Sequence, residues 1–185
     1  MYLSQDAEDA ALIARCRAGD PAAFELLVRR HERVLFNVAL RMLGNREDAA
    51  DATQTAFVKA YEHLDDFDFD RRFFSWIYRI LVNECFNLRR ARRPNDGLPD
   101  EPGIASIAAG PFENLERHER HRRIQAALLA LTHELREVVV LRHFGGLSYD
   151  EIAAVTGIPA RTVKSRLYTA RQRLGELLLD WEPRS

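Results

Sequence analysis

A helix cap, a glycine turn and a one-signed helix face, all within residues 148–174, constrain this chain more tightly than anything else in its sequence. Ser148 is a good N-cap residue and Glu151 follows three positions later, the spacing of a capping box. Ile152, Ala153 and Val155 give a short first helix its apolar face. Gly157 is the residue type that most readily takes the left-handed conformation ending a helix, and Pro159 suits the start of the next one. In that second helix Val163, Leu167, Ala170 and Leu174 recur at i, i+4, i+7 and i+11, one buried stripe. Its remaining positions carry Arg161, Lys164, Ser165, Arg166, Tyr168, Thr169, Arg171 and Arg173, with no acid between Gly157 and Gly175. A short helix, a tight turn and a basic second helix form the helix-turn-helix pattern, whose second helix enters the DNA major groove. A merely solvated helical hairpin is the blander reading. Cap, turn, stripe and charge agree with one another, which disfavours it.

The overall charge does not point to nucleic acid: 27 Lys and Arg stand against 28 Asp and Glu, a formal net charge of −1. The charge is segregated, however. Arg89, Arg90, Arg92 and Arg93 form a second basic cluster, while acids gather at Asp6–Asp9, Glu47–Asp51 and Asp65–Asp70. Such an arrangement allows two DNA contacts and a separate acidic protein-binding face on a nearly neutral chain. Cys16 and Cys85 lie far apart without metal-type spacing and read as reduced thiols. No apolar run reaches membrane-span length, and Met1–Gly19 lacks the basic start and apolar core of a signal peptide, so no membrane insertion and a cytoplasmic location are expected.

Apolar spacing is helical throughout and strand alternation is missing. A first helix is expected over Glu8–Ala18, and Gly19 ends it. Asp20 caps a second helix with Pro21 at its first position; it runs to about Leu43, with Phe24, Leu27, Val28, His31, Leu35 and Val38 on its buried side. His31 there reads as a satisfied core histidine. Asn45 caps a third helix whose inner face holds Ala49, Ala56, Phe57 and Ala60 and whose outer face holds Asp48, Asp51, Thr55, Lys59 and Glu62. Leu64–Arg72 has no helical period and reads as an acidic loop carrying Phe67 and Phe69. These rings either pack back on the domain or wait for a partner such as a base. A fourth helix follows from about Phe73 to Arg92, with Asn83 and the arginine cluster on its exposed side.

Residues 94–112 read as a flexible linker, rich in proline, glycine and small residues. Fully extended, this segment would span about 60 Å. A helix from Glu113 to Leu131 and another from a Thr132 cap to Phe144 precede the helix-turn-helix. The expected fold is therefore all-α: two small helical domains, 1–93 and 113–185, joined by the linker 94–112, the C-terminal one ending in the helix-turn-helix. His118 and His121 lie one turn apart, but no third ligand joins them. They read as a solvated face, so no metal or cofactor is expected.

Three segments together resemble the sigma-70 family of bacterial RNA polymerase sigma factors, in its extracytoplasmic-function (ECF) subfamily: DAADATQTAFVKAYEHLDDF, FFSWIYRILVNECFNLRRARRP and LTHELREVVVLRHFGGLSYDEIAAVTGIPARTVKSRLYTAR, in that order. The resemblance implies a transcription initiation factor and not an enzyme. The first domain would bind the clamp coiled coil of the polymerase β′ subunit through Asp48, Asp51, Gln54 and Thr55, with Phe57 beneath them. The acidic loop and fourth helix would recognise and melt the promoter −10 element. There Phe67, Phe69 and Asn83 would capture a flipped base, while Arg89, Arg90, Arg92 and Arg93 would hold phosphates. The second domain would touch the β flap and read the −35 element through Arg142, Arg161, Thr162, Lys164, Ser165, Arg166, Tyr168 and Arg171. An anti-sigma factor would be the regulating partner. The chain departs from the common family pattern at Thr55, where an acid is usual, and at Phe69, Arg71 and Arg72, where small or polar residues are frequent. It departs again at Arg161, often glycine, and Thr169, often arginine.

Two other readings compete. A LuxR-like helix-turn-helix regulator would suit the C-terminal segment, but its partner domain should contain strands and residues 1–93 suggest none. A helical metal hydrolase would need ligands that His118 and His121 do not complete.

Overall fold

The computed structural model describes the backbone of residues 2–91 and 113–179, with side chains over 6–91 and 119–179. Eight α-helices are formed: α1 (Tyr2–Arg17), α2 (Pro21–Leu43), α3 (Arg46–Glu62), α4 (Phe73–Ala91), α5 (Glu113–Ala130), α6 (His133–His143), α7 (Tyr149–Thr156) and α8 (Ala160–Leu178), with a 3-10 turn at Leu64–Asp66. No strand occurs among the described residues, as the helical spacing requires. The expected linker, Arg92 and Arg93 lie outside them. Asp20 accepts the Ala22 N–H at 3.1 Å, and Asn45 accepts those of Glu47 and Asp48 at 2.8 and 3.1 Å, so both expected caps satisfy otherwise orphaned helix-start donors.

Helix α2 runs through the first half and packs against α1, α3 and α4. Its core is Leu27, Leu35, Val38 and Met42 with Ala49, Ala56, Ile77 and Leu81, all buried. His31 is a core histidine: its Nε2 lies 2.9 Å from Asp9 Oδ2, and both side chains are 2% exposed. Arg30 donates to the other Asp9 oxygen at 2.6 Å. Burying the carboxylate is tolerable because both oxygens are occupied, and the pairing fastens α1 to α2. One expectation is corrected. Asp48 is only 7% exposed and does not face outward. It sits in the first turn of α3, where the helix N-terminus favours a negative charge. Burial first, then the Glu84 and Asp48 charges, push the nearby Cys85 thiol up to about 12.

The two halves pack directly on each other, and one apolar cluster runs through both. Arg136 on α6 is the central tie. Its Nε donates to Leu128 O at 2.8 Å, Nη2 to Leu129 O at 2.5 Å and Leu131 O at 3.1 Å, and Nη1 crosses to Met42 O of α2 at 2.8 Å. Burial, with the Arg89 charge added, pulls the guanidinium down to about 10, so it stays protonated at neutral pH. Gln125 donates to Leu40 O at 3.1 Å and accepts from Arg41 at 2.8 Å. Arg72, before α4, pairs with Asp6 at 2.8 Å and with Glu151 of α7. Gly44 ends α2 at φ 77° and lets α5 approach: a Cβ there would lie 2.7 Å from Leu129 Cδ1.

Helix α6 also supports α8 through buried Val138, Val139, Val163 and Leu167. Glu137, between them, is largely desolvated, which pushes its carboxyl up to about 7 although Arg166 opposes the shift.

Two stability predictions follow from this packing. Arg136→Met should cost about 3 kcal/mol or more, because buried carbonyls at the end of α5 and at Met42 lose a charged donor; a shift of the urea midpoint at unchanged slope reads it. For Glu137, the folded chain holds the proton more tightly than the unfolded chain, so its effect on stability is lost as pH climbs from the usual carboxylate range to about 7. Glu137→Gln should therefore raise the melting temperature at pH 8 and change it little at pH 4. Equal gains at both pH values would contradict a raised carboxyl.

Candidate nucleic-acid interface

The C-terminal surface is built on the capping box expected at Ser148. Its Oγ accepts the Glu151 N–H at 3.2 Å, and Glu151 Oε2 accepts the Ser148 N–H at 2.8 Å. Burial would raise the Glu151 carboxyl, but the Ser148 bonds and the Arg72 charge outweigh it and hold it below its ordinary value. Gly157 closes α7 at φ 74°. Ile152, Val155, Val163, Leu167 and Ala170 are buried, and this turns the basic side of α8 to solvent. Arg161, Lys164, Ser165, Tyr168 and Arg171 are exposed on it, Tyr168 by 65%. Thr162 and Arg166 are half-buried at its edge. Arg142 sits apart from these, donating to Leu147 O at 2.7 Å with its guanidinium 5.1 Å from the Tyr149 ring centroid. It braces the turn into α7 while remaining exposed. Burial, and then the Arg142 and Arg171 charges, keep His143 below its ordinary value and favour its neutral form beside this cationic face.

The second surface lies around the loop 64–72 and α4. The two loop phenylalanines part ways. Phe67 packs back on the domain, 4% exposed, against Phe73 and Trp76 at ring-centroid distances of 6.0 and 5.3 Å. The expectation that Phe67 stacks on a base is corrected for this conformation, since its ring is already enclosed. Phe69 is 48% exposed and meets Phe67 at 5.5 Å with an interplanar angle of 75°. Asn83 is exposed and lines a shallow cavity of about 400 Å³ with Lys59, His63, Ile80, Glu84, Phe86 and Asn87. Lys59 donates to Glu84 across it at 2.6 Å, and neither loop phenylalanine lines it. Arg90 is exposed and Arg89 half-buried on the last turn of α4.

The third surface is a groove of about 920 Å³ between α2 and α3, floored by Phe24, Val28, Phe36, Phe57 and Tyr61. Gln54 lines it, and Asp51 is exposed on the same helix. Thr55 is half-buried, and Phe57, 6% exposed, lies beneath as expected. Val58 and Tyr61 are about half exposed, at 49% and 51%, an apolar rim on an otherwise charged helix.

Sequence reasoning missed one residue at the second surface. Arg17, the last residue of α1, donates through Nη2 to Leu64 O at 2.6 Å, Asp65 O at 2.7 Å and Phe67 O at 2.7 Å, and through Nε to Leu64 O at 3.0 Å. Its Cζ lies 4.8 Å from the Phe69 ring centroid. A lone arginine at a helix end gives no sequence signal for loop carbonyls some fifty positions away.

The sequence profile for sigma-70 region 2 matches residues 27–94, and that for sigma-70 region 4 matches residues 121–174. The ECF RNA polymerase sigma-E factor of Escherichia coli is 36% identical over 93% of this chain and 95% of its own. The RNA polymerase sigma-H factor of Pseudomonas aeruginosa is 32% identical over 92% of this chain and 94% of its own. Among solved structures, CnrH in complex with the cytosolic domain of CnrY is 34% identical, covers 94% of this chain and 99% of that one, and superposes with a TM-score of 0.74. The sigma factor RpoE of Bartonella quintana, in complex with the anti-sigma factor NepR, shares the fold at a TM-score of 0.69 and 24% identity over 86% of this chain and 98% of that one. The match of the first half to sigma region 2 disfavours a LuxR-like regulator. With both regions matched in order and near-full-length relatives, the chain belongs to the ECF subfamily of sigma-70 family RNA polymerase sigma factors.

Proposed function

We propose that this sigma factor divides its work between residues 1–93 and 113–185, with 94–112 as the linker between two promoter contacts. The observation that carries the proposal is the exposed, acid-free face of α8 set on a fully buried stripe. That face docks in the major groove at the −35 element. Lys164 and Ser165 face base edges, Arg161, Thr162, Arg166 and Arg171 flank them on backbone or bases, and Tyr168 and Arg142 support from the rim. Asn83 offers an amide to the edge of a flipped −10 base from the cavity beside α4, and Arg89, Arg90, Arg92 and Arg93 hold phosphates. The α2–α3 groove, with Asp51, Gln54 and Thr55 along α3, takes the β′ clamp coiled coil, and Asp48 and Phe57 support that helix from beneath. The C-terminal half also touches the β flap.

The chain acts as an initiation subunit without catalysis of its own; nucleotidyl transfer belongs to the polymerase. The same apolar groove suits an anti-sigma factor, which would compete there with the polymerase. The CnrH relative was solved with a protein partner, which supports this reading. No helix among the described residues is long and apolar enough to cross a membrane, which fits a factor working in the cytoplasm.

Transcription in vitro tests the whole reading. Added to bacterial core polymerase and a pool of genomic promoter fragments, the chain should produce discrete starts sharing paired −35 and −10 motifs. DNA binding without such starts would return the conventional regulator. On a promoter so identified, Lys164→Ala should cost about 1–3 kcal/mol on the preferred −35 sequence and less on altered ones. A uniform loss across −35 sequences would make Lys164 a phosphate contact. Asn83→Ala should reduce permanganate reactivity of −10 thymines while leaving polymerase binding intact.

A further inference from the structure

The loop 64–72 is a poor partner for a nucleic-acid backbone: Asp65, Asp66, Asp68 and Asp70 line it, all exposed. Phosphates are repelled from such a segment, whereas an uncharged base is not. What the loop presents to a base is Phe69, half exposed, since Phe67 is enclosed in the core.

Arg17 fixes that ring in place by two independent means. Its guanidinium bonds three loop carbonyls, those of Leu64, Asp65 and Phe67, at 2.6–2.7 Å through Nη2. The same planar group lies over the Phe69 ring, 4.8 Å from its centroid. Edge-on contact with Phe67 at 5.5 Å supports the ring from a second side. A loop ordered in the free protein binds better than one that must be ordered on binding. The Arg17 side chain is 26% exposed, so it also places a cation beside an otherwise acidic loop, where a flipped nucleotide would bring its phosphate.

We propose that Phe69 is the stacking surface for the base captured during −10 opening and that Arg17 is the positioning residue that holds it. This rests on the initiation reading above and names the residues that serve it in the loop. It also gives the departures of this loop from the family pattern a purpose: an aromatic at position 69 needs a brace, and α1 supplies one.

The test uses the full chain assembled with bacterial core polymerase on a promoter found in the transcription assay. Rates of open-complex formation are compared on the intact promoter and on the same promoter made abasic at the non-template position whose base removal most slows the wild-type chain. Arg17→Ala and Phe69→Leu should each slow opening roughly tenfold on the intact promoter, the scale of losing one base–aromatic stack. Both should fall within about twofold of wild type on the abasic one, where there is no base to stack. Arg17→Lys should recover part of the rate, since an ammonium reaches carbonyls but does not stack as a plane. Equal slowing on intact and abasic promoters would mean that Arg17 acts only through the fold, and the proposal fails. Wild-type rates for either variant on the intact promoter overturn it as well. A wild-type chain that opens no promoter at all overturns the initiation reading and this proposal together, which separates the two failures.

Discussion

The buried guanidinium of Arg136 is the interaction on which this structure turns. A cation enclosed by protein is costly unless its donors are used, and here they go to the carbonyls that α5 leaves open at its end and to Met42 in the other half. One side chain therefore closes α5, positions α6 beneath α8, and ties the DNA-facing half to α2. The recognition helix has no N-cap side chain of its own, since Pro159 precedes it. Its placement depends on Val163 and Leu167 seating against α6, and so on what holds α6.

The joint between the halves has a different character from their interiors. Beyond a shared apolar cluster it is made by polar ties: Arg136 to Met42, Gln125 to Leu40 and Arg41, and Arg72 to Asp6 and Glu151. Such groups are satisfied equally well by water once the halves part, so this interface costs less to open than an apolar core of the same extent. Glu151 links this to the helix-turn-helix, because the carboxylate that completes the α7 capping box also receives Arg72. Separation would release Arg72 without undoing the cap, so the recognition element keeps its shape in either arrangement.

Local rules made most of the fold legible. Asp20, Gly44, Asn45, Ser148 and Gly157 each act at the helix end where sequence chemistry places them, because a cap is decided within four residues. The sign of the α8 face was legible for the same reason: a stripe and its opposite face are set by one periodicity. Faces decided by tertiary packing were not. Asp48 obeys the helix-start preference for acids yet is covered, since whether a first turn is buried depends on α4. Phe67 and Phe69 look equivalent in an acidic loop, and only the positions of Phe73, Trp76 and Arg17 distinguish the enclosed ring from the open one. Arg136 reads as one more surface charge in a helix that is apolar on its other sides.

The segregation of charge explains how a chain of net charge −1 can serve DNA at all. Screening confines each cluster's influence to about 8–10 Å at ordinary salt, so a phosphate near α8 meets Lys164, Arg161 and Arg171 and not the acids of the loop. The loop has the complementary property. Its aspartates oppose a backbone, and its one open ring accepts a base. In the proposed roles these are two halves of one discrimination: duplex DNA is favoured at α8, where the backbone is contacted, and disfavoured at the loop until a base leaves the stack. Binding energy at the loop then becomes available only as the duplex opens, which is the condition for recognition to drive melting.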